Sequence, residues 1–165
     1  MAVTLLLARV APAVLGECGR SVAVLDRLCS FEALAASEYL DLDWAGGGIV
    51  HVCEVLGAGA VRGLLDGGEE VNLAYRDRPD GVVEPPRAVA AEDVARCAAQ
   101  LEGIGPEGLP AALPSDPDAA GTLLGEPYAS MEGHPLDYMA AHFTALRRFC
   151  RVAAERRLAV VTWWD

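Results

Sequence analysis

Lysine is missing altogether from these 165 residues: all 13 basic side chains are arginine, set against 24 carboxylates for a net charge of −11. That imbalance argues against nucleic-acid binding through phosphate contacts, which needs a basic face. It also argues against attraction to an anionic membrane surface. Without lysine there is no phosphate-cradling GxxxxGK[ST] loop. Gly57-Ala58-Gly59 opens like a dinucleotide fingerprint, but Arg62 holds the place of the third glycine and Gly63 comes one residue late. Histidine is sparse. His51, His134 and His142 form no HExxH and no His-x-His, so neither a zinc site nor any other metal centre is expected. No cofactor is expected either. The five cysteines, Cys18, Cys29, Cys53, Cys97 and Cys150, are odd in number, widely spaced and without a CxxC. We read them as buried, reduced thiols rather than a disulfide or metal set. No apolar run reaches the roughly 18–20 residues that a membrane-spanning helix needs. The opening MAVTLLLARVAPAVLGEC lacks the charged region of a secretion signal, Arg9 interrupts its apolar run, and Glu17 precedes the cysteine. We therefore expect a first core strand over Val3 to Val10 rather than a cleaved leader. The single asparagine and the heavy use of Ala, Gly, Arg and Val reflect genome composition and carry no function.

What is present is a foldable core. Hydrophobic residues make up 53% of the chain and mean hydropathy is +0.26, enough for one globular domain. The clearest segment is the last. Leu136, Met139, Phe143, Leu146, Cys150 and Ala153 share one helical stripe. Pro135 suits the first helical position, and Arg156 and Arg157 suit the end of the helix dipole. Leu158 to Trp164 then reads as a β-branched and aromatic strand. Upstream, the pattern predicts a short helix from Pro12 to about Gly19, then one capped by Ser21 and running through Leu34. Tyr39 to Asp43 reads as extended, with Asp41 and Asp43 facing the same way. Asp43 should cap a helix striped by Ala45, Ile49, Val52, Cys53 and Leu56. Gly46, Gly47 and Gly48 near its start suggest close packing or an irregular turn. A further helical stretch follows over Val61 to Asp66, then a strand over Val71 to Tyr75 and a turn over Arg76 to Gly81. Pro85-Pro86 fits neither a helix interior nor a central strand. Ala91 to Leu101 is helical. Gly105 to Gly133, with five prolines, reads as a long irregular loop holding one short helix near Leu109 to Leu113. The expected fold class is therefore α+β: a single domain in which a small mixed sheet, with strands from both termini, packs against several amphipathic helices.

Candidate site residues are few. Asp41 and Asp43 form one acidic pair and Glu69-Glu70 another, and carboxylates clustered in a cleft could serve as acid and base. Arg87 follows two prolines on a stiff segment. It is open to pairing with a carboxylate on a ligand or partner, or to an internal bridge with Asp41, Asp43, Glu69 or Glu70. Trp163 and Trp164 lie on opposite faces of the last strand; one belongs in the core, and Trp164 is the candidate interface anchor. No catalytic residue can be assigned.

Three ordered blocks carry a likeness. They are EYLDLDWAGGGIVHVCEVLG from Glu38 to Gly57; LLDGGEEV from Leu64 to Val71 with PPRAVAAEDVARCAAQLEGI from Pro85 to Ile104; and the terminal segment HPLDYMAAHFTALRRFCRVAAERRLAVVTWWD. Together they resemble the YfbM-like family, bacterial proteins built on a domain of unknown function. Relatives carry a Lys-Ala-Trp stretch and an early histidine after the paired aspartates; here Trp44 follows Asp43 directly and three glycines fill the next turn. The resemblance implies an α+β domain in the bacterial cytoplasm, an arginine at the place of Arg87, and no particular reaction.

Two readings of function stand. The first is a non-enzymatic protein-binding module, immunity-like or regulatory, that meets a basic protein partner through an acidic face including Asp41 and Glu69. The alternative is a small hydrolase-like or ligand-modifying enzyme that gathers Asp41, Asp43, Glu69 or Glu70 with Arg87 in one cleft.

Overall fold

The computed structural model describes residues 4–77 and 84–165. Strands from the two termini form the centre of the sheet. β1 (Leu5–Val10) pairs along its whole length with β5 (Ala159–Trp164), from Leu5 opposite Trp164 to Val10 opposite Ala159. β2 (Tyr39–Asp41) flanks β1, and β4 (Arg87–Val89) followed by β3 (Glu69–Glu70) flanks β5, giving the order β2-β1-β5-β4-β3. Every pairing is antiparallel. The α+β class holds, but the sheet is uniform where a mixed one was expected: each return between neighbouring strands reverses the chain.

Both faces of the sheet are covered, so β1 is buried at all six positions. Alternation sorts its side chains. Leu5 and Leu7, with Val89 and Val160, join the larger core; Leu6, Ala8 and Val10, with Val161 and Trp163, join the smaller. The smaller core lies under α1 (Pro12–Arg20) and α2 (Val22–Cys29). The larger is closed by α3 (Ala45–Val55), α4 (Ala60–Leu65), α5 (Ala91–Glu102) and α8 (Pro135–Glu155), with α6 (Gly108–Ala111) and α7 (Pro117–Leu124) outside them. The expected stripe of α8 is buried at Met139, Phe143, Leu146, Cys150 and Ala153. All five cysteines are buried and free. Burial pushes the Cys29 and Cys53 thiols up to about 12, which makes them poor nucleophiles.

Four local expectations are corrected. α2 stops at Cys29 instead of Leu34, because Phe31 turns left-handed (φ 62°) and lays its ring 5.0 Å from Tyr39 and 5.9 Å from Trp163. Asp43 neither extends nor caps α3: its φ is 48°, and Trp44 holds the cap position without a side-chain bond. The strand expected over Val71 to Tyr75 is instead a 3-10 turn, Leu73–Asp77, preceded by β3. Asn72 causes this by accepting from the Ala74 N–H at 3.0 Å and donating to the Cys18 carbonyl at 3.1 Å, a local bond that competes with strand pairing. The Arg76 to Gly81 turn lies mostly outside the described residues. Finally, the supposed loop from Gly105 to Gly133 contains α6, α7 and a 3-10 turn at Tyr128–Ser130. Asp116 caps α7 by accepting from Ala119 N–H at 2.8 Å, and Pro117 opens it.

Candidate functional site

The sheet order separates the expected site residues into two groups. Asp41 ends β2 and Asp43 follows it, whereas Glu69 and Glu70 form β3 at the opposite edge. Four strand spacings lie between the edges, about 19 Å at the usual interval. Asp41 and Asp43 therefore stand at the opposite edge of the sheet from Glu69 and Glu70, and of these four acids only Glu70 is the strand partner of Arg87.

At the β2 edge, the chain leaves the sheet through a tight polar turn. Asp41 Oδ1 accepts from the Asp43 N–H at 2.7 Å, and the left-handed Asp43 aims its own carboxylate at Tyr138, whose hydroxyl donates to Oδ2 at 3.0 Å. The same Tyr138 oxygen accepts from the Trp44 N–H at 3.2 Å. Tyr128 donates to the Ala45 carbonyl at 3.2 Å, and the His142 ring lies tilted against Tyr138, their centres 4.6 Å apart. The glycines allow this closeness: a Cβ on Gly48 would fall 2.5 Å from the Tyr128 hydroxyl oxygen. Strain of this kind in a non-glycine residue collects at functional places, and the next residue, Trp44, is exposed. Trp44, Tyr128 and Tyr138 were not singled out from sequence; their convergence is tertiary.

Burial, reinforced by the Asp43 carboxylate to which it donates, pushes the Tyr138 phenol up to about 12. A folded pKa above the unfolded value near 10 means that the protonated phenol contributes stability below pH ~10, and that this is lost as pH rises toward about 12. The stability gap between the native chain and Tyr138→Phe should therefore narrow between pH 10 and 12 in urea unfolding. A gap that stays constant would contradict this role.

The chain between α5 and α8 carries a run of acids without arginine. No arginine occurs between Arg96 and Arg147, while that interval holds Glu102, Glu107, Asp116, Asp118, Glu126, Glu132 and Asp137. All seven are exposed, and none forms an ion pair among the described residues. Elsewhere arginine answers seven of the acids. Glu54 and Asp66 pair with Arg62, Glu70 with Arg76, and Asp93 with Arg96. The gap between the two arginines was visible in the sequence; a net charge counted over the whole chain conceals it.

The other group holds less free charge. The Arg76 guanidinium keeps Glu70 below the usual carboxylate range, with Arg87 adding to the effect. Glu69 is exposed on the edge. Arg87 bridges to none of the four acids expected for it; it donates to the Gly68 carbonyl at 3.3 Å. Trp163 is core, 1% exposed, and Trp164 is partly buried against the larger core rather than free. Among the described residues no three His, Cys, Asp or Glu side chains converge as metal ligands, and no helix is long and apolar enough to cross a membrane.

Comparison with family models, with curated proteins and with solved structures gives no match. The site has to be read from its own chemistry.

Proposed function

We propose that this chain is a non-enzymatic recognition module of the bacterial cytoplasm, immunity-like or regulatory, that binds a basic protein partner through one acidic face. The face consists of α7, the 3-10 turn at Tyr128–Ser130, the first turn of α8 and the Asp41–Trp44 turn. The observation that carries the reading is a charge gap: seven exposed carboxylates between Glu102 and Asp137, five of them on or next to the elements of this face, form no ion pair among the described residues on a stretch without arginine, and the face also holds the exposed Trp44. Unpaired rim charge steers encounter with an oppositely charged partner, and an exposed tryptophan supplies an anchor. Glu69 and Glu70 leave the recognition set, since they sit at the far edge of the sheet. The likeness to YfbM-like proteins is compatible with this reading, because it carries no reaction.

The test is capture from the native host followed by association kinetics at low and high salt. The on-rate should fall about tenfold or more as salt rises, as expected for steered association. Trp44→Ala should speed dissociation with little change in the on-rate. A partner whose on-rate ignores salt contradicts the reading.

A further inference from the structure

The solvent-facing surface of α8 carries its charge in two blocks. The exposed residues of the helix are Asp137, Ala141, Thr144, Arg148, Arg151 and Glu155. They recur at spacings of four and three, so they form one ridge along the helix, opposite its buried stripe. Acid stands at one end and arginine at the other. Asp137 follows Glu126 and Glu132 in the arginine-free stretch, whereas Arg147, Arg148, Arg151, Arg156 and Arg157 crowd the second half of the helix and its end.

The fold itself uses these charges only in part. Arg147 donates to the Ile104 carbonyl at 3.3 Å, Arg156 answers Glu38 at 2.8 Å, and Arg151 reaches Glu155 only at 3.9 Å. Neither Arg148 nor Asp137 forms an ion pair among the described residues. One helix cannot bring them together, because eleven residues separate them by about 16 Å along the axis. A second helix laid antiparallel can. With the crossing centred between Ala141 and Thr144, Asp137 of each copy faces Arg148 of the other, and Arg151 of each comes beside Glu132 of the other. A parallel arrangement sets like charge against like. Both residues at the crossing are small, which lets the two axes approach to about 8 Å.

We infer that the chain pairs with a second copy of itself through this ridge, as a two-fold antiparallel dimer. Charge complementarity selects the occupant: the ridge is its own complement when reversed, and a two-fold contact uses every pair twice. The net charge of −11 on each copy opposes association at long range. At about 0.15 M salt the Debye length is about 8 Å, so that repulsion is screened while pairs in contact keep their attraction. The ridge is narrow for an interface, so the dimer belongs to the weak, exchanging class. The pairing does not rest on the proposed basic partner; only Asp137 is common to the two surfaces.

The experiment is sedimentation equilibrium of the full chain at about 0.15 M salt, over about 10 µM to 1 mM, where weak complexes are populated. The native chain should pass from the 17.3 kDa monomer toward twice that mass and no further. Arg148→Glu and Asp137→Arg should each weaken self-association about tenfold or more, since each turns two attractions into two repulsions. Mixed in equal amounts, these two variants should associate with each other, because both contacts between them again join opposite charges. The double variant should recover the native behaviour. Glu92→Arg, which makes the same charge change on α5 as Asp137→Arg makes on α8, should leave self-association as it is in the native chain. If Asp137→Arg does not fold by circular dichroism, Arg148→Glu alone still decides. A native chain that stays monomeric throughout, growth beyond the dimer, or a mass unaffected by Arg148→Glu would each overturn the inference.

Discussion

Phe143→Ala should destabilise this domain by about 3–5 kcal/mol, the usual cost of deleting a buried aromatic side chain. Phe143 lies mid-way along α8, 5% exposed, between the fully buried Met139 and Leu146. α8 packs along α5 and also touches α3, α6, α7 and β2, so a cavity there is shared by most of the larger core. Leu5, Leu7 and Val160 of the sheet belong to the same core. A loss of this size exceeds half of the total stability if the domain stands near the low end of the usual ~5–15 kcal/mol. Urea unfolding reads it directly. An unchanged midpoint would mean that the stripe carries no core packing.

Glu38→Ala should cost a comparable ~3–5 kcal/mol, for a different reason. Arg9 sits on the otherwise apolar β1, 8% exposed, with its guanidinium 4.9 Å from the centre of the Phe149 ring. Its charge is answered by Glu38 at 3.2 Å, and one nitrogen donates to the Ser37 carbonyl. Arg156 reaches the same carboxylate from outside at 2.8 Å. Removing Glu38 leaves a buried cation without its counter-charge, whereas replacing both members by apolar groups removes the problem. The double variant Arg9→Met, Glu38→Ala should therefore unfold at higher urea than Glu38→Ala alone. A single variant within about 0.5 kcal/mol of the native chain would show that water already reaches the pair.

These two effects differ in how far the sequence foretells them. The α8 stripe, Pro135 at its start and the following strand are written in local periodicity, and they stand where the pattern places them. Glu38 is legible only as one acid among 24; its weight comes from Arg9 and Arg156, 29 and 118 positions away. The same division runs through the other elements. Five prolines between Gly105 and Gly133 read as breakers, yet Pro117 behind Asp116 is a starter, and the capping bond to Ala119 makes it one. Asp43 looked like a helix cap by residue type; Tyr138, 95 positions on, turns it to a different task. Of the site residues named from sequence, Asp41 stands beside the acidic face, while Arg87 lies on β4 and Trp164 packs against the larger core. Trp44 and Tyr138 became visible only once strand register and helix packing brought them alongside.

The most direct test of the acidic face compares two triple variants of equal net charge. One neutralises Asp118→Asn, Glu126→Gln and Glu132→Gln on the face. The other neutralises Glu17→Gln, Glu69→Gln and Glu92→Gln, on α1, β3 and α5. Exposed charges contribute little to stability, so both should melt near the native chain. Association with the captured basic partner at low salt is then measured for each. The face variant should associate several-fold more slowly while the other keeps close to the native rate. Equal slowing in both would mean that only total charge matters, and that the partner does not dock on this face.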